Sequence, residues 1–313
     1  MMKLTPEQIR EITVGAVRTW EEADGIHFSK LSAAQQDAFD RRHPRFAQNG
    51  KSTTGIRLDF ETDSSFIQYV PLTSGKYELK IDGILTEHIK AEANQAVTYT
   101  FADTSQKHRV TLHLPSHGVG GGIRSFELSD GATFKRHSFD RKFLFIGDSI
   151  TQGWNSDIDT LSYAYLVSDH FNAESIIQGI GGAQYDAETL EQIDFDPDTV
   201  LVAYGTNDVS AFPTMDELRY HCTEFLKKVK ALYPDAHVYV ITPPWIVCED
   251  KMFSCGTIAD VRETIRNCAE EFGLNVVDGK AMIPPLPSLF IDNVHPNAIG
   301  FSCYAHHLIK ALS

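Results

Sequence analysis

The sequence has few features that would tie the protein to a membrane or to a disulfide framework. Its five cysteines are scattered and form no Cys-x-x-Cys pair, so neither a zinc site nor a set of structural disulfides is indicated. No run approaches the roughly 18 apolar residues that span a bilayer, and residues 1–7 lack the apolar core of a signal peptide. We therefore expect a cytoplasmic protein with buried free thiols.

Positive charge is also scarce. The chain has 28 basic and 42 acidic residues, which gives a formal net charge of −14. A negative field repels phosphate backbones and anionic lipids, so neither nucleic acid nor a membrane is expected as a partner. The composition is otherwise that of a globular protein, with 42% hydrophobic residues, and 313 residues favour two domains. The oligomeric state stays open, and a homo-oligomer is compatible with the sequence.

Residues 1–50 are predicted to form an N-terminal helical segment. A capping-box pattern at Thr5–Gln8 has proline at the first helical position, and apolar residues at helical spacing continue to an Asp-Gly ending at residues 24–25. The apolar residues are Ile9, Ile12, Ala16 and Trp20. Ser32 with Gln35 predicts a second, short helix to about Arg42. The basic residues near its end are expected on a solvated face: Arg41, Arg42, His43 and Arg45.

Residues 51–138 have the pattern of a smaller antiparallel domain. Short segments alternate apolar and polar residues, as half-buried strands do, and turn residues separate them. The predicted strands are 55–61, 66–70, 77–83, 97–101, 109–114 and 123–128. Such a series predicts a β-sandwich with a jelly-roll-like arrangement.

Residues 139–313 alternate strands with helices. Strands are predicted at 143–146, 175–178, 199–204, 237–241 and 275–277, and helices at 162–171, 215–232, 258–272 and 296–312. Strands separated by helices in this way predict an α/β fold with a doubly wound parallel sheet and flanking helices.

The first of these strands ends at Gly147-Asp148-Ser149, which places a serine at the carboxyl edge of the sheet. That edge is where open α/β folds bind their ligands. The alternative is an ordinary strand-to-helix turn in which Asp148 or Ser149 caps the next helix. A Gly-x-Ser-x-Gly nucleophile elbow is excluded, because Thr151 occupies the position of the second glycine.

Three further segments fall at positions that can converge on this serine. Glycine-rich residues 179–182 follow the second strand, and residues 205–208, Gly-Thr-Asn-Asp, follow the third. Asp292 and His295 precede the last helix. Each segment also has a structural alternative, since Asn207 could belong to a plain turn and either Asp292 or His295 could cap the helix.

The four segments together resemble the SGNH (GDSL-type) family of serine hydrolases, over roughly residues 143–312. The resemblance implies a flavodoxin-like sheet and an esterase that needs no metal or organic cofactor. It implies Ser149 as nucleophile, His295 as its base and Asp292 as the carboxylate that orients the imidazole. The backbone amides of Ser149 and Gly182 and the side chain of Asn207 would form the oxyanion hole.

One position departs from the pattern of the family. Relatives usually have asparagine where Gln178 stands, which leaves Gly179, Gly181 and Gly182 as candidates for the oxyanion amide. We choose Gly182 because it lies four residues past Gln178, as the glycine of the family lies past its asparagine. Asp148 is expected to orient the serine loop.

A β-sandwich before an SGNH domain is similar to the two-domain carbohydrate esterases. That similarity makes a carbohydrate O-acetyl esterase, acting on a small ester, the leading hypothesis. Trp154 and Trp245, on predicted loops at the carboxyl edge, could form a platform for a sugar ring or could simply pack in the interior. The alternatives are a lysophospholipase or thioesterase with the same triad, and a carbohydrate-binding protein without catalysis.

Overall fold

The computed structural model describes residues 1–118 and 120–313. They divide into two compact units, each made of two stretches of chain. The first unit comprises Met1–Leu31 and Lys51–Phe139, and the second comprises Ser32–Gly50 and Asp140–Ser313. Among the described residues, no helix is both long enough and apolar enough to cross a membrane.

The described residues of the first unit form one helix, α1 (Pro6–Glu11), and twelve strands. The strands are β1 (Met2–Lys3), β2 (Thr13–Val14), β3 (Arg18–Glu22), β4 (Gly25–Ser29), β5 (Arg57–Thr62), β6 (Phe66–Pro71), β7 (Gly75–Ile81), β8 (Ile84–Ala91), β9 (Val97–Thr100), β10 (His108–His113), β11 (Gly122–Leu128) and β12 (Phe134–Arg136). One antiparallel sheet has the order β3-β4-β11-β6-β9, with β1 beside β11. The other has the order β12-β5-β10-β7-β8, with β2 beside β5.

Aromatic side chains pack the two sheets face to face. Phe60 of β5 meets Phe126 of β11 edge-on, with ring centroids 5.6 Å apart, and Tyr69 of β6 meets Tyr77 of β7 at 5.6 Å. All four are fully buried. Two antiparallel sheets with a shared apolar interior form a sandwich, as predicted.

The predicted first helix is wrong beyond residue 11, and the description of residues 1–50 as a helical segment is wrong with it. After α1, which has the expected capping box at Thr5, the chain forms the hairpin β3–β4, in which Glu22 pairs with Gly25. Gly15 has a φ of +85°, which no helix interior adopts. Trp20 is 37% exposed, so its helical spacing from the buried isoleucines is a coincidence.

The second unit begins with two short helices, α2 (Ala33–Arg42) and α3 (Pro44–Gly50). Its sheet consists of β13 (Arg141–Gly147), β14 (Ala173–Gly179), β15 (Thr199–Ala203), β16 (His237–Ile241) and β17 (Asn275–Val277). The further helices are α4 (Ser149–Gln152), α5 (Tyr163–His170), α6 (Asp208–Ala211), α7 (Met215–Leu232), α8 (Ile258–Glu271) and α9 (Ala298–Leu312). All strand pairs are parallel, in the order β14-β13-β15-β16-β17.

Aromatic contacts show that helices cover this sheet. Tyr163 of α5 packs against Phe145 of β13 and stacks on Tyr304 of α9, with centroids 4.3 Å apart. Elsewhere, Tyr204, directly after β15, meets Phe225 of α7 at 5.5 Å. The predicted parallel α/β sheet with flanking helices is confirmed.

The described chain also differs from the predicted division into 1–50, 51–138 and 139–313. Residues 1–31 belong with the sandwich, whereas residues 32–50 belong with the parallel sheet. Local sequence patterns identify elements but carry no information on which unit a short helix joins, because that depends on long-range contacts.

Candidate active site

The ends of three strands lie level with one another at the carboxyl edge of the parallel sheet. Gly147, the last residue of β13, pairs with Gly179 of β14 on one side and with Ala203 of β15 on the other. The segments that follow these strands therefore start from the same edge. This register brings the Asp148-Ser149 turn next to residues 180–183 and to the turn that contains Asn207.

Ser149 is the first residue of α4 and directs its hydroxyl toward an imidazole. Asp148 caps this helix by accepting a hydrogen bond from the amide of Ile150 at 2.9 Å, so the turn is also a regular helix start. Because the cap is provided by Asp148, the Ser149 side chain is left to contact His295, with 2.9 Å between Oγ and Nε2.

His295 is in turn held by Asp292. The imidazole Nδ1 lies 2.7 Å from Oδ2 of Asp292, and the other carboxylate oxygen accepts the amides of Val294 and His295, each at 2.7 Å. Partial burial by itself would raise the pKa of Asp292, but these hydrogen bonds outweigh it and hold the pKa below its ordinary value. An ionised Asp292 accepts the proton on Nδ1 of His295, and this favours the tautomer in which Nε2 can accept the serine proton.

The loop that carries these two residues has its own supports. Ile291 donates its amide to the carbonyl of His295 at 2.9 Å, and Asn155 donates its side-chain amide to Asp292 at 3.3 Å. The last helix is capped by Asn297, which accepts the amides of residues 299 and 300. Capping of α9 therefore does not explain the presence of Asp292 and His295.

Two glycines and one asparagine lie close to the serine as possible hydrogen-bond donors to a substrate. The amide of Gly181 is already used, because it donates to Gln152 Oε1 at 2.8 Å. Gly182 has a φ of +87°, and among the described residues none accepts its amide hydrogen. Asn207 Nδ2 donates to the carbonyl of Ala183 at 3.0 Å and makes a longer contact of 3.4 Å with Asp148. This pattern favours Gly182 over Gly181 as a donor.

Two buried carboxyl groups lie beneath these donors. Burial raises the pKa of Asp148 to about 7, and the Asp208 carboxylate contributes to the shift. Burial likewise raises the pKa of Asp208 to about 6, although it accepts the amides of Tyr185 and Gly205, both at 2.8 Å. Neither carboxylate contacts His295, so both hold backbone segments in place and leave Asp292 as the partner of the imidazole.

A cavity of about 140 Å³ opens above Ser149. Its lining comprises Arg45, Asn49, Ser149, Trp154, Gly181, Gly182, Asn207 and His295. Trp154 thus lies at the site. Trp245 is not among the described residues of the lining; it is partly buried and packs edge-on against Phe290, with centroids 5.4 Å apart. The two tryptophans named from the sequence therefore occupy different surroundings.

Two cavity residues, Arg45 and Asn49, come from the N-terminal helix α3 and were not predicted. Asn49 is buried and donates its side-chain amide to the carbonyl of Gly181, 132 positions away, at 2.8 Å. Gln178, the position that departs from the family pattern, exchanges two side-chain hydrogen bonds with Gln35 of α2 at 3.0 and 3.1 Å. The sequence contains no local signal for such contacts.

One group of potential metal ligands occurs in the described chain, in the first unit. The ligand atoms of Glu22, Asp24 and His27 lie within 4.8 Å of one another. The two carboxylates are exposed, and His27 is hydrogen-bonded to Asp24 at 2.9 Å, so the group is accounted for as a surface ion pair.

Comparison with known structures shows that the whole fold of this chain is similar to that of several solved proteins, all of them under 20% identical to it. A salicylyl-acyltransferase from a tetracycline biosynthetic pathway superposes with a TM-score of 0.84 at 17% identity, covering 99% of this chain and 97% of that one. A family 2 carbohydrate esterase from Corynascus thermopiles (Myceliophthora fergusii) gives 0.70 at 18% identity, covering 87% and 96%. An acetyl xylan esterase from Butyrivibrio proteoclasticus gives 0.66 at 15%, covering 100% and 98%.

Comparison by sequence gives the family. A search of curated proteins finds no match. The model of the GDSL-like lipase/acylhydrolase family, however, matches residues 145–302, just over half of the 313 residues. The matched stretch runs from the serine turn to the last helix. The chain belongs to the GDSL-like lipase/acylhydrolase family and is an enzyme that hydrolyses carboxylic esters.

Proposed function

We propose that this esterase removes small acyl groups, acetyl above all, from carbohydrate hydroxyls, and that it does so through Ser149, His295 and Asp292. The observation that carries the proposal is the continuous hydrogen-bonded series from Ser149 Oγ to His295 Nε2, at 2.9 Å, and from His295 Nδ1 to Asp292, at 2.7 Å. A serine hydroxyl is a weak nucleophile until a base removes its proton, and this series supplies the base and its orienting carboxylate.

The reaction then follows from the positions of these groups. Ser149 Oγ attacks the acyl carbonyl while His295 Nε2 takes the proton, and the amides of Ser149 and Gly182 with the side chain of Asn207 stabilise the oxyanion. Collapse of the intermediate breaks the ester bond, and the imidazolium returns the proton to the departing alcohol. Water, deprotonated by His295, next attacks the acyl-serine and releases the carboxylic acid.

The size and lining of the cavity support a small acyl group on a polar alcohol. Its volume of about 140 Å³ is well below that of the pockets that enclose drug-sized ligands. Trp154 offers a ring face and Arg45 offers hydrogen-bond donors on the same lining, which is the combination that a sugar requires. The carbohydrate esterases with the same fold are consistent with this choice.

The test is hydrolysis of 4-nitrophenyl esters from acetate to octanoate by the wild type, Ser149→Ala and Ser302→Ala. Ser302 is an exposed serine of α9 whose hydroxyl donates to the carbonyl of Ala298 in the same helix at 2.9 Å, which makes it a matched control. We expect acetate to be preferred, Ser149→Ala to lose about 10⁴-fold or more in kcat, and the control to equal the wild type. Acetylated oligosaccharides would be tested next.

Other outcomes would replace the proposal. Rates that rise with chain length would favour a lysophospholipase or thioesterase. Absence of serine-dependent hydrolysis on every ester would exclude Ser149 as the nucleophile and favour a carbohydrate-binding protein.

A second candidate function is transfer of the acyl group to an alcohol other than water. The full-length fold similarity to an acyltransferase favours testing it, and the same acyl-serine would serve both reactions. Hydrolysis of 4-nitrophenyl acetate in the presence of a sugar would distinguish them, because transfer yields an acetylated sugar in place of acetate.

A further inference from the structure

Arg45 places a positive charge on the wall of the cavity that contains the nucleophile. It lies on α3 (Pro44–Gly50), and its backbone amide donates to the imidazole Nδ1 of His43 at 3.1 Å. Both it and Asn49, one helical turn later, line the cavity with Ser149. The helix therefore presents a cation to the same space in which the ester would bind.

The stem of Arg45 passes beside the glycine that we propose as an oxyanion donor. A Cβ atom built on Gly182 would lie 3.7 Å from Cδ of Arg45 and 3.0 Å from the ring of Phe46. The side chain of Arg45 therefore passes beside Gly182 on the wall of the cavity. If Gly182 binds the oxyanion, as proposed above, a side chain in this place can reach a neighbouring part of the substrate.

No carboxylate of the described chain forms an ion pair with Arg45, although the protein has 42 acidic residues. Arg42, three residues earlier, pairs with both Asp186 and Glu188. The cavity lining given above contains no aspartate or glutamate. An acidic chain therefore keeps one wall of its reaction cavity positive, which favours an anionic ligand there.

We propose, on the basis of the function proposed above, that Arg45 binds a carboxylate on the alcohol part of the substrate. The preferred substrates would then be acetyl esters of hydroxy acids, such as acetylated sugar acids. The planar guanidinium matches a carboxylate with two parallel hydrogen bonds, a geometry that lysine cannot reproduce. The alcohol part is favoured over the acyl part because a cavity of about 140 Å³ suits a short acyl group.

The experiment compares two pairs of esters on the full chain. 4-Acetoxybenzoate and its neutral amide, 4-acetoxybenzamide, differ in a charge on the alcohol part. The 4-nitrophenyl esters of succinic acid (free second carboxyl) and butyric acid differ in a charge on the acyl part. Spontaneous hydrolysis is measured without enzyme and subtracted for every ester, since the free carboxylate of the succinate ester attacks its own ester group. The rates for the 4-acetoxy pair are then divided by their rates of alkaline hydrolysis, which removes the difference in intrinsic reactivity. The wild type is expected to prefer 4-acetoxybenzoate over the amide by about tenfold in kcat/KM, because exposed charge-assisted pairs contribute modestly.

Three variants assign that preference to Arg45. Arg45→Gln should raise KM for 4-acetoxybenzoate about tenfold with little change in kcat, and it should raise KM for the neutral amide by about twofold at most. Arg45→Lys should recover only part of the preference. Arg41→Gln, which removes an exposed arginine outside the cavity lining, should behave as the wild type.

The inference would be overturned by equal normalised rates for 4-acetoxybenzoate and its amide, by a preference that appears only in the succinate pair, or by Arg45→Gln lowering activity on all four esters alike. Each of these results leaves serine-dependent hydrolysis intact. Failure of the proposed function would look different, because Ser149→Ala would then hydrolyse the neutral esters as fast as the wild type.

Discussion

Replacing Asp148 by asparagine changes the stability of the protein in a way that depends on pH. Burial raises the pKa of this carboxyl from its ordinary value of 3.8 to about 7. Between about pH 4 and pH 7 the unfolded chain therefore binds fewer protons at this position than the folded chain. The free energy of unfolding falls as pH rises through that window, and the loss is complete above pH 7.

The size of the effect follows from the two pKa values. At about 1.36 kcal/mol per pKa unit, the interval from 3.8 to about 7 corresponds to about 4 kcal/mol of stability that the ionised carboxylate costs. Asparagine carries no charge, and its oxygen can still accept the amide of Ile150. Because an uncharged cap is weaker, we expect Asp148→Asn to exceed the wild type by about 2–4 kcal/mol at pH 8 and by close to zero at pH 4.5.

Urea unfolding of both proteins at pH 4.5, 6, 7 and 8 measures this difference. Asp235→Asn, in the exposed turn after α7, provides the control and should stay within about 0.5 kcal/mol of the wild type at every pH. A difference between Asp148→Asn and the wild type that does not vary with pH would refute the reasoning. So would a variant that is less stable than the wild type at pH 8.

Two further predictions concern the site. Asp292→Asn should lower kcat by about 10³–10⁴ while leaving KM for 4-nitrophenyl acetate nearly unchanged, because an amide no longer fixes the tautomer of His295; a loss below tenfold would show that Asp292 is not the orienting group. Alanine substitutions of the two tryptophans should have different effects, which are measured as the stability and the kinetics of both variants. Trp245→Ala should lower the free energy of unfolding by about 2 kcal/mol or more through lost packing against Phe290. Trp154→Ala should instead raise KM, and the reverse assignment would contradict the cavity described above.

The parallel sheet could be predicted from the sequence because buried strands there are continuous apolar runs. The fourth strand is observed at its predicted bounds, His237–Ile241, and α7 at Met215–Leu232. The N-terminal hairpin could not be predicted in the same way. The apolar residues of this segment continue the helical spacing of α1, so their pattern alone favours a helix. What favours the hairpin is the backbone conformation of Gly15 and the pairing of β4 with the distant strand β11.

The positions of three candidate residues could be predicted from the sequence because each lies in a recognisable short segment. Ser149 follows a strand end, and Asp292 and His295 lie three residues apart, so the structure brings them together as the motifs predict. Arg45 and Asn49 lie in a basic stretch that is typical of a solvated surface. Their place beside Ser149 depends on contacts more than 100 positions away along the chain, which no local pattern records.

The second unit is built from two separate stretches of chain, residues 32–50 and 140–313, and this affects both its biosynthesis and any attempt to isolate it. Helices α2 and α3 leave the ribosome long before the sheet that they join, since Gln35 and Gln178 are 143 positions apart. Until β14 is made, the buried polar groups of these helices lack their partners, and closing so long a loop costs entropy. A fragment cut at the family boundary, residues 145–302, would lose one wall of its own cavity. That fragment also cuts β13 and α9, so we expect it to be unstable. A fragment of residues 140–313, which keeps the whole parallel sheet, should bind a separate peptide of residues 32–50 and be stabilised by it.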